Sequence, residues 1–542
     1  MKKIFLGLFM ASILSSCNMK ERADLILING DVYTVDSSFT KCTAIAVKDG
    51  IILAAGGDDE ILNTYRSANI VDLEGRPLYP GFNDAHCHIT GLGLGLRRVD
   101  LRGATSFEEI LSRLKKRFDE NPSEYLLGDG WDQNLWVDKS FPSNEKLNEL
   151  FPNIPVILSR IDFHAVIVND EAIKRLGITP GDPSIISGEA LVKNGKFQGV
   201  FLENLADRFK EIIPKPNGEE MRSILLAAQD ECFKYGLTSV SHAGEELSTI
   251  NVIDSMQSEG KLKIRLDVWL TPGEENFSKF TKPYKNGRLS ISAIKLYVDG
   301  ALGSRGALMI EPYSDMPGTR GIAVNTSQKL EEYCKWAFDH GFQVATHCIG
   351  DEANREALRI YAEFLPEGND LRWRIEHAQI INPADMGMFK KYSVIPSIQP
   401  THATSDMLWA DERVGYRIKH TYPYKELLDQ LGWLPSGTDC PIEHINPIYT
   451  FFAAVYRKNL DFIPEEGFQM ENALSKEEAL KSMTIWAAKA SFEESTIGSI
   501  EIGKAADFVV LDKDIMTAPE KEVPAIRVLK TFVGGEEVYK AN

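Results

Sequence analysis

Eight short apolar segments, separated by helix-like stretches, constrain the fold of this chain more than any other feature. Each segment indicates a β-strand; they are PGFNDAHCH, LTSVSHAG, LKIRLDVWL, ISAIKLYVDG, FQVATHCIG, RWRIEHAQ, SVIPSIQP and LPSGTDCP. Two of the helix-like stretches, 221–236 and 327–341, end in glycine and lead directly into a strand. Alternating strands and helices are typical of parallel β/α folds, and eight strands close a barrel. We therefore predict an α/β fold, a TIM-like (β/α)8 barrel.

Short β-type runs also occupy both ends of the chain. Near the start they are ADLILINGDVYTVD and TAIAVKDGIILAAGG, and near the end they are IGSIEIGKAADFVVLDKD and VLKTFVGGEEVY. Such pieces cannot form separate cores, so we predict one small β-sandwich made from residues 23–77 and 495–542. Residues 78–494 would form the barrel domain. The stretch from about 101 to 217 does not fit the repeat and is interpreted as a subdomain inserted after the first barrel strand.

The first residues predict export. Lys2 and Lys3 precede an apolar run, IFLGLFMASIL, that is too short to span a bilayer comfortably, and LSSC follows it. Small residues before a cysteine resemble the lipobox of bacterial lipoproteins, in which the signal is removed and the cysteine is lipidated. We predict a signal peptide at residues 1–16, lipidation of Cys17 and a lipid-anchored protein of the bacterial cell envelope; the alternative is an ordinary secretory signal. The net charge of −18 argues against nucleic-acid binding, which needs clustered Lys and Arg.

Polar residues that could hold a metal stand at the ends of the predicted strands. His86 and His88 flank Cys87, so in a strand the two imidazoles lie on one side and the thiol on the other. Alone, such a pair is as compatible with ordinary buried histidines as with a metal site. Later strands carry Lys295, His347, His377 and Asp439. Because the carboxyl ends of barrel strands converge at one mouth, we expect these side chains to meet there, and imidazole and carboxylate suit zinc and similar ions.

Lys295 does not fit a simple metal site, because a metal ion repels an ammonium group. It lies in an apolar strand, where a free charge is costly, and the plain alternative is a surface or ion-paired lysine. Reaction of its amine with carbon dioxide would give an anionic carbamate whose two oxygens could bridge two metal ions. The carboxylated lysine is therefore a hypothesis.

Together these motifs resemble the amidohydrolase superfamily, and more narrowly its family-3 branch of N-substituted formamide deformylase-like and D-aminoacylase-related proteins. The motifs are PGFNDAHCH, KLYVDGALGSRGA, HCIGD, RIEHAQ, SGTDCPIE and the tail IGSIEIGKAADFVVLD. The resemblance implies a (β/α)8 barrel with one or two divalent metal ions, foremost zinc. The implied metal ligands are His86, His88, Lys295, His347, His377 and Asp439. Of these, Lys295 matches a lysine that is carboxylated in several members, and Asp439 matches a carboxylate that also acts as general acid and base.

The implied activity is hydrolysis of a non-peptide, amide-like carbon–nitrogen bond in a small molecule by metal-activated hydroxide. Two alternatives stay open. The same site could serve isomerisation or the hydrolysis of an ester or lactone, or the chain could be a lipoprotein that binds metal without turnover. We expect an amide-like small-molecule substrate, no nucleic-acid partner and membrane association through the lipid anchor only, and leave a homodimer open.

Three further residues are candidates for substrate contact. His402 follows the seventh predicted strand and would meet the substrate carbonyl. Trp131, in the inserted stretch, would line a pocket or pack the core of that stretch. Arg305, in GSRGA, would meet a substrate carboxylate or form a structural salt bridge.

Overall fold

The computed structural model describes residues 20–160, 165–185 and 189–541, and a parallel barrel lies at its centre. Seven parallel strands follow one another around it in chain order. The first to seventh barrel strands are Phe82–Cys87, Leu237–Glu245, Arg265–Leu270, Leu289–Tyr297, Gln343–Cys348, Arg374–His377 and Ile395–Ser397. A short strand, Tyr284–Asn286, pairs antiparallel with the fourth.

The segment 434–440, called the closing segment, completes the ring between the seventh strand and the first. Ser436 forms a parallel bridge with Ile398 on one side. On the other side, the Asp439 N–H donates to the His86 carbonyl at 2.7 Å. The predicted α/β barrel is confirmed, with an eighth strand that is reduced to these few backbone contacts.

Helices cover the outside of the barrel and begin and end at the expected signals. Helix Gly218–Lys234 begins with a capping box of Asn217 and Glu220, and helix Ser327–His340 ends at Gly341, whose φ of 74° is left-handed. The other helices of this domain are Ile89–Leu96, Leu247–Ser258, Glu274–Lys279, Asp351–Phe364, Met386–Lys391, Pro400–Asp406, Ala410–Val414, Tyr424–Leu431, Pro447–Tyr456, Lys476–Ser482 and Ile485–Ala490, with 3₁₀ turns Gly415–His420 and Met470–Asn472. Their apolar faces and the outer faces of the strands form the main core.

Two sheets built from both ends of the chain share a second core. One holds Leu25–Ile28, Ala44–Lys48, Ile51–Gly56 and Ile70–Asp72; the other holds Asp31–Tyr33, Lys41–Cys42, Pro77–Pro80, Phe508–Leu511, Val528–Val533 and Glu536–Lys540. Strands Glu21–Arg22 and Tyr65–Arg66, helix Asp58–Thr64 and the 3₁₀ turn Glu520–Ala525 accompany them. The core includes Leu27 from the first sheet and Leu78 and Phe508 from the second. The Tyr79 hydroxyl donates to Asp514 at 2.5 Å, which ties the early part of the chain to the late part.

Between the first and second barrel strands the chain forms a separate six-stranded sheet. Its strands are Val99–Asp100, Leu126–Trp131, Val156–Arg160, Ala165–Val168, Ala190–Lys193 and Lys196–Leu202; its helices are Phe107–Glu120, Glu145–Leu150, Asp170–Leu176 and Glu203–Glu211, with a 3₁₀ turn at Gln133–Leu135. Ser106 caps the first of these helices by accepting from the Glu109 N–H at 3.2 Å, as the sequence predicts. This subdomain follows directly on the segment that carries His86 and His88.

The predicted signal peptide, residues 1–16, and Cys17 lie outside the described residues. In the ranges that are described, no helix is both long enough and apolar enough to span a membrane. The lipidation of Cys17 therefore stays a prediction.

Candidate metal centre

The carboxyl ends of the barrel strands bring three of the predicted ligands together. His86 lies near the end of the first strand, His377 ends the sixth, and Asp439 lies in the closing segment. All three are buried, and one ligand atom from each lies within 4.8 Å of those of the other two. Residues far apart along the chain thus meet in one small space, as the geometry of a parallel barrel predicts.

The other three predicted ligands surround this cluster. His88 Nε2 lies 3.2 Å from Asp439 Oδ1. Lys295 Nζ, which is buried, lies 3.1 Å from His86 Nε2. The ring centroids of His347 and His377 lie 4.5 Å apart. All six predicted ligands are therefore neighbours.

A buried carboxylate orients the first histidine. Glu376, one residue before His377, accepts a hydrogen bond of 2.5 Å from His86 Nδ1. Arg374 contacts the other oxygen of Glu376 and donates to Ser397 Oγ at 2.7 Å. With Nδ1 donating, Nε2 of His86 turns its lone pair to the centre, and pairs of this kind fix the tautomer of metal-binding histidines.

Two further buried carboxyl groups hold the segments that carry ligands. Asp84 accepts from the Thr438 hydroxyl at 2.6 Å and from its N–H at 3.0 Å, which joins the first strand to the closing segment. Asp299 accepts from the Gly350 N–H at 2.8 Å, just beyond the fifth strand. Burial raises the pKa of Asp84 and of Asp299 to about 7 each. Both groups position backbone around the centre.

Burial and neighbouring charges set the protonation states of the ligands. Burial, with the positive charge of Lys295, lowers the pKa of His86 to about 4 and that of His347 to about 3. Burial alone would raise the pKa of Asp439, but the hydrogen bond from His88 and the nearby imidazoles hold it well below its usual range. Burial lowers the pKa of Lys295 to about 8. Neutral imidazoles beside an ionised carboxylate are the forms that bind a divalent cation.

Two buried ring nitrogens test whether a metal fits these residues. Among the described residues, His347 Nε2 and His377 Nδ1 have no hydrogen-bond partner, although buried polar atoms are nearly always paired. His377 and Asp439 also hold left-handed backbone, with φ of 73° and 57°, which non-glycine residues adopt mainly where function requires it. Both observations fit a divalent metal held by this donor set.

Two of the three candidates for substrate contact occupy very different positions. His402 lies beside the centre: its Nε2 is 3.5 Å from Asp439 Oδ2, and its ring stacks on His377 with centroids 5.6 Å apart. Trp131 is fully buried in the core of the inserted subdomain, and its indole N–H donates to the Leu158 carbonyl at 2.8 Å. Because the indole is packed in the core of this subdomain and its N–H is already paired, the structure favours the core-packing alternative for Trp131.

The third candidate, Arg305, is paired within the protein. Its guanidinium makes two contacts to Asp315, of 2.7 Å and 3.2 Å, and Asp315 also accepts from Arg413. The salt-bridge alternative is the one observed for Arg305, because Asp315 already occupies the fork that would receive a substrate carboxylate.

Sequence reasoning missed several neighbours of the centre. Arg374 and Glu376 stand in the predicted strand RWRIEH, and charges on a strand expected to be buried are a signal that could have identified the pair. Tyr297 lies two residues after Lys295, on the same side of the fourth strand, with its ring centroid 5.0 Å from Lys295 Nζ and 5.5 Å from the ring of His347. Nothing in the sequence distinguishes this tyrosine from one that packs a core.

A parallel barrel with histidines, a buried lysine and an aspartate at its carboxyl mouth defines a metal-dependent hydrolase. The chain belongs to the amidohydrolase family, which matches residues 69–539. It is 29% identical to the putative amidohydrolase YtcJ of Bacillus subtilis (strain 168), over 95% of this chain and 99% of the relative. It is 25% identical to the N-substituted formamide deformylase of Arthrobacter pascens, over 96% and 99%.

A crystal structure from Pyrococcus horikoshii OT3, an uncharacterized metal-dependent hydrolase, shares the fold. Its TM-score is 0.76 at 30% identity, and the match covers 92% of this chain and 99% of that one. The predicted family, fold and enzyme class are thereby confirmed.

Proposed function

We propose that the protein hydrolyses an amide-like carbon–nitrogen bond in a small molecule. The observation that carries the proposal is the meeting of His86, His377 and Asp439, with His402 beside the same aspartate. Amide hydrolysis needs one group that takes a proton from water and returns it to the leaving nitrogen, and an aspartate in this position can do both. The relatives named as an amidohydrolase and a formamide deformylase, which match nearly the whole chain, also support the proposal.

The metal would be held by imidazole and carboxylate donors at the mouth of the barrel. The ligands are His86, His88, Lys295 as its carbamate, His347, His377 and Asp439. One or two divalent ions would be bound, foremost zinc, because nitrogen and oxygen donors of this kind are its usual ligands. When bound, such an ion supplies a Lewis acid that polarises a carbonyl group and lowers the pKa of water.

Asp439 would carry the proton. Its Oδ1 and Oδ2 lie 3.2 Å from His88 Nε2 and 3.5 Å from His402 Nε2, and it is buried. The carboxylate accepts a proton from the attacking water and then donates it to the nitrogen as the carbon–nitrogen bond breaks. His402 Nε2 has no hydrogen-bond partner among the described residues and would donate to the substrate carbonyl oxygen.

Carboxylation of Lys295 is part of this proposal. The amine is buried, and no carboxylate in the described part of the chain forms an ion pair with it. The neutral amine forms a nitrogen–carbon bond to carbon dioxide and releases a proton, so a carbamate anion replaces a costly buried cation. Lys295→Ala should lose activity, and bicarbonate added with metal should restore metal-stripped wild type. An unmodified lysine in a metal-loaded crystal would count against carboxylation.

The test of the reaction is Asp439→Asn, assayed on N-formyl and N-acyl amines and amino acids with esters as controls. General acid–base catalysis contributes about 10²- to 10⁴-fold, so we expect kcat to fall by that factor while substrate binding stays detectable. Near-normal turnover would remove Asp439 as the acid and base. Faster hydrolysis of esters than of amides by wild type would favour the ester alternative, and zinc binding below about one equivalent would refute the metal assignment.

We also propose that lipid on Cys17 anchors the enzyme to a membrane of the bacterial cell envelope. The motif LSSC after a short apolar run supports this. Wild type should partition into detergent, whereas Cys17→Ser should not. A soluble, unlipidated wild-type chain would refute the anchor.

A further inference from the structure

Tyr297 ends the fourth barrel strand, at the carboxyl mouth and beside the predicted ligands. The strand register pairs it with His347 on the fifth strand. Tyr297 lies two residues beyond Lys295, so both side chains are on the same side of the strand. Lys295 is buried, whereas Tyr297 is 37% exposed. The side of the fourth strand that carries the lysine therefore opens to solvent at this tyrosine.

Neighbouring groups hold the aromatic ring of Tyr297 in place. Lys295 Nζ lies over the ring, 5.0 Å from its centroid, and the His347 ring lies 5.5 Å away, tilted by 39°. The Tyr297 carbonyl accepts from Asn325 Nδ2 at 2.9 Å, and the next residue, Val298, donates its N–H to the His347 carbonyl at 3.1 Å. Because the backbone is fixed and two predicted ligands confine the aromatic ring, the ring stands as a wall beside the centre.

Asp439 stands on the far side of the same centre. The His347 ring, beside Tyr297, lies 4.5 Å from the His377 ring, centroid to centroid, and ligand atoms of His377 and Asp439 lie within 4.8 Å of each other. Asp439 belongs to the closing segment, the eighth position of the barrel, whereas Tyr297 ends the fourth strand. The fourth and eighth positions of an eight-stranded barrel are opposite, so Tyr297 and Asp439 lie on opposite sides of the centre.

The proposed reaction sets which part of the amide points to which strand. Asp439 donates a proton to the leaving nitrogen, and His402, which follows the seventh strand, donates to the carbonyl oxygen. These two side chains are neighbours, 3.5 Å apart. The three substituents of a carbonyl carbon diverge in one plane, so when nitrogen and oxygen both face this side of the mouth, the third points away from it. The acyl substituent therefore points across the mouth, toward the fourth strand and Tyr297.

From the place of Tyr297 and this orientation together, we propose that the acyl group of the substrate packs against the aromatic ring of Tyr297, and that this ring limits the size of the acyl group. The inference rests on the proposed amide hydrolysis, because that reaction sets the orientation. A small acyl group fits in front of the ring. A longer one must displace a ring that is confined by Lys295 and His347, and such overpacking is costly. Tyr297 is thus a specificity-determining residue for the acyl side of the amide.

The first experiment varies the acyl group on one amine. The substrates are the formyl, acetyl and butyryl amides of 2-phenylethylamine, or of whichever amine in the panel of N-acyl amines the zinc-loaded full chain releases fastest. A methylene in a tight pocket changes kcat/KM by about 10- to 200-fold, so wild type should favour acetyl over butyryl by at least about 10-fold. Tyr297→Ala should reduce this ratio at least about 10-fold, whereas Tyr297→Phe, which keeps the aromatic ring, should change it less than about 2-fold. A ratio measured on one preparation does not depend on the fraction of protein that is folded or carboxylated.

The second experiment keeps the acetyl group and compares methylamine with 2-phenylethylamine as the amine. The nitrogen faces Asp439, on the opposite side of the centre, so Tyr297→Ala should change this ratio less than about 2-fold. Tyr392→Ala is the matched control and should change neither ratio. This tyrosine is also partly buried, but it follows helix Met386–Lys391 and precedes the seventh strand, so it lies at the other end of the barrel.

Each contrary result has a definite meaning. If wild type shows no acyl preference, or if Tyr297→Ala keeps the wild-type ratio, the inference is overturned, Tyr297 is only a cover over Lys295, and amide hydrolysis still stands. A change in the amine ratio instead of the acyl ratio also overturns it, because the amide then binds the other way round. Loss of the acyl preference in Tyr297→Phe would assign the selection to the hydroxyl and refute the wall. Turnover of no amide at all would refute the proposed function and the inference with it.

Discussion

The Glu376 carboxylate is predicted to support both the fold and the metal centre, through two different neighbours. It accepts from His86 Nδ1 at 2.5 Å and contacts Arg374, and all three side chains are fully buried. In Glu376→Gln the amide keeps the size of the side chain but loses its charge. Arg374 then stays buried without a counter-ion, and His86 keeps only a weaker acceptor for its Nδ1–H.

These contacts set the expected loss of unfolding free energy and of metal affinity in Glu376→Gln. Removing one partner of a buried ion pair costs about 3–5 kcal/mol. Arg374 keeps hydrogen bonds of 2.7 Å to Ser397 Oγ and 2.8 Å to the Ala85 carbonyl, so we expect a loss near the lower end, about 3 kcal/mol. Loss of the carboxylate behind a metal-binding histidine weakens metal affinity about 10- to 100-fold.

Urea unfolding of the metal-free protein measures the first effect, and zinc competition with a chelator measures the second. The double variant with Arg374→Met removes the orphaned cation, so it should regain most of the unfolding free energy but none of the zinc affinity. Glu367→Gln, at an exposed carboxylate 3.2 Å from Lys391, is the matched control and should change neither quantity. Wild-type stability together with wild-type zinc affinity in Glu376→Gln would refute the reasoning.

Other regions of the protein offer independent tests. Trp131→Ala should destabilise the inserted subdomain by about 3–5 kcal/mol and expose sites within 101–217 to limited proteolysis; an unchanged cleavage pattern would contradict its burial. Burial would raise the pKa of Asp514, but the hydrogen bonds from Tyr79 and Tyr33 hold it below its usual value. The carboxylate therefore stabilises the fold above a pH of about 4, and this stability is lost as the pH falls through the lowered pKa. In Asp514→Asn the melting temperature should therefore decrease less than in wild type as the pH is lowered below about 4. An equal decrease in both proteins would argue against this role. Chelation at neutral pH should abolish activity and added zinc should restore it, whereas activity in protein shown to be metal-free would exclude a metal-dependent reaction.

The barrel could be predicted because its signals are local. Apolar runs, glycine ends and helical spacing each depend on a few neighbouring residues, and the parallel topology then brings the carboxyl ends together. His86, His377 and Asp439 could be named for this reason. LPSGTDCP was predicted as the eighth strand, but the structure reduces it to a few backbone contacts, because its prolines cannot donate to a sheet and only Ser436 forms a bridge among the described residues.

The partners of single side chains could not be predicted. Trp131 and Arg305 were each open to two interpretations, since the Leu158 carbonyl and the Asp315 carboxylate could be matched to them only in three dimensions. Glu376 was overlooked because its role depends on the distance to His86, on another strand.

The sequence by itself determined the kind of fold, the residue types at the strand ends and hence the class of chemistry. These follow from short-range patterns and from a topology that many sequences share. Only the tertiary structure decided which buried charges pair with one another, as Glu376 does with Arg374 and His86, and which side chains stand beside the metal centre. Such pairings depend on distances of a few ångströms between segments far apart in the chain, and Coulomb and hydrogen-bond energies change steeply over those distances.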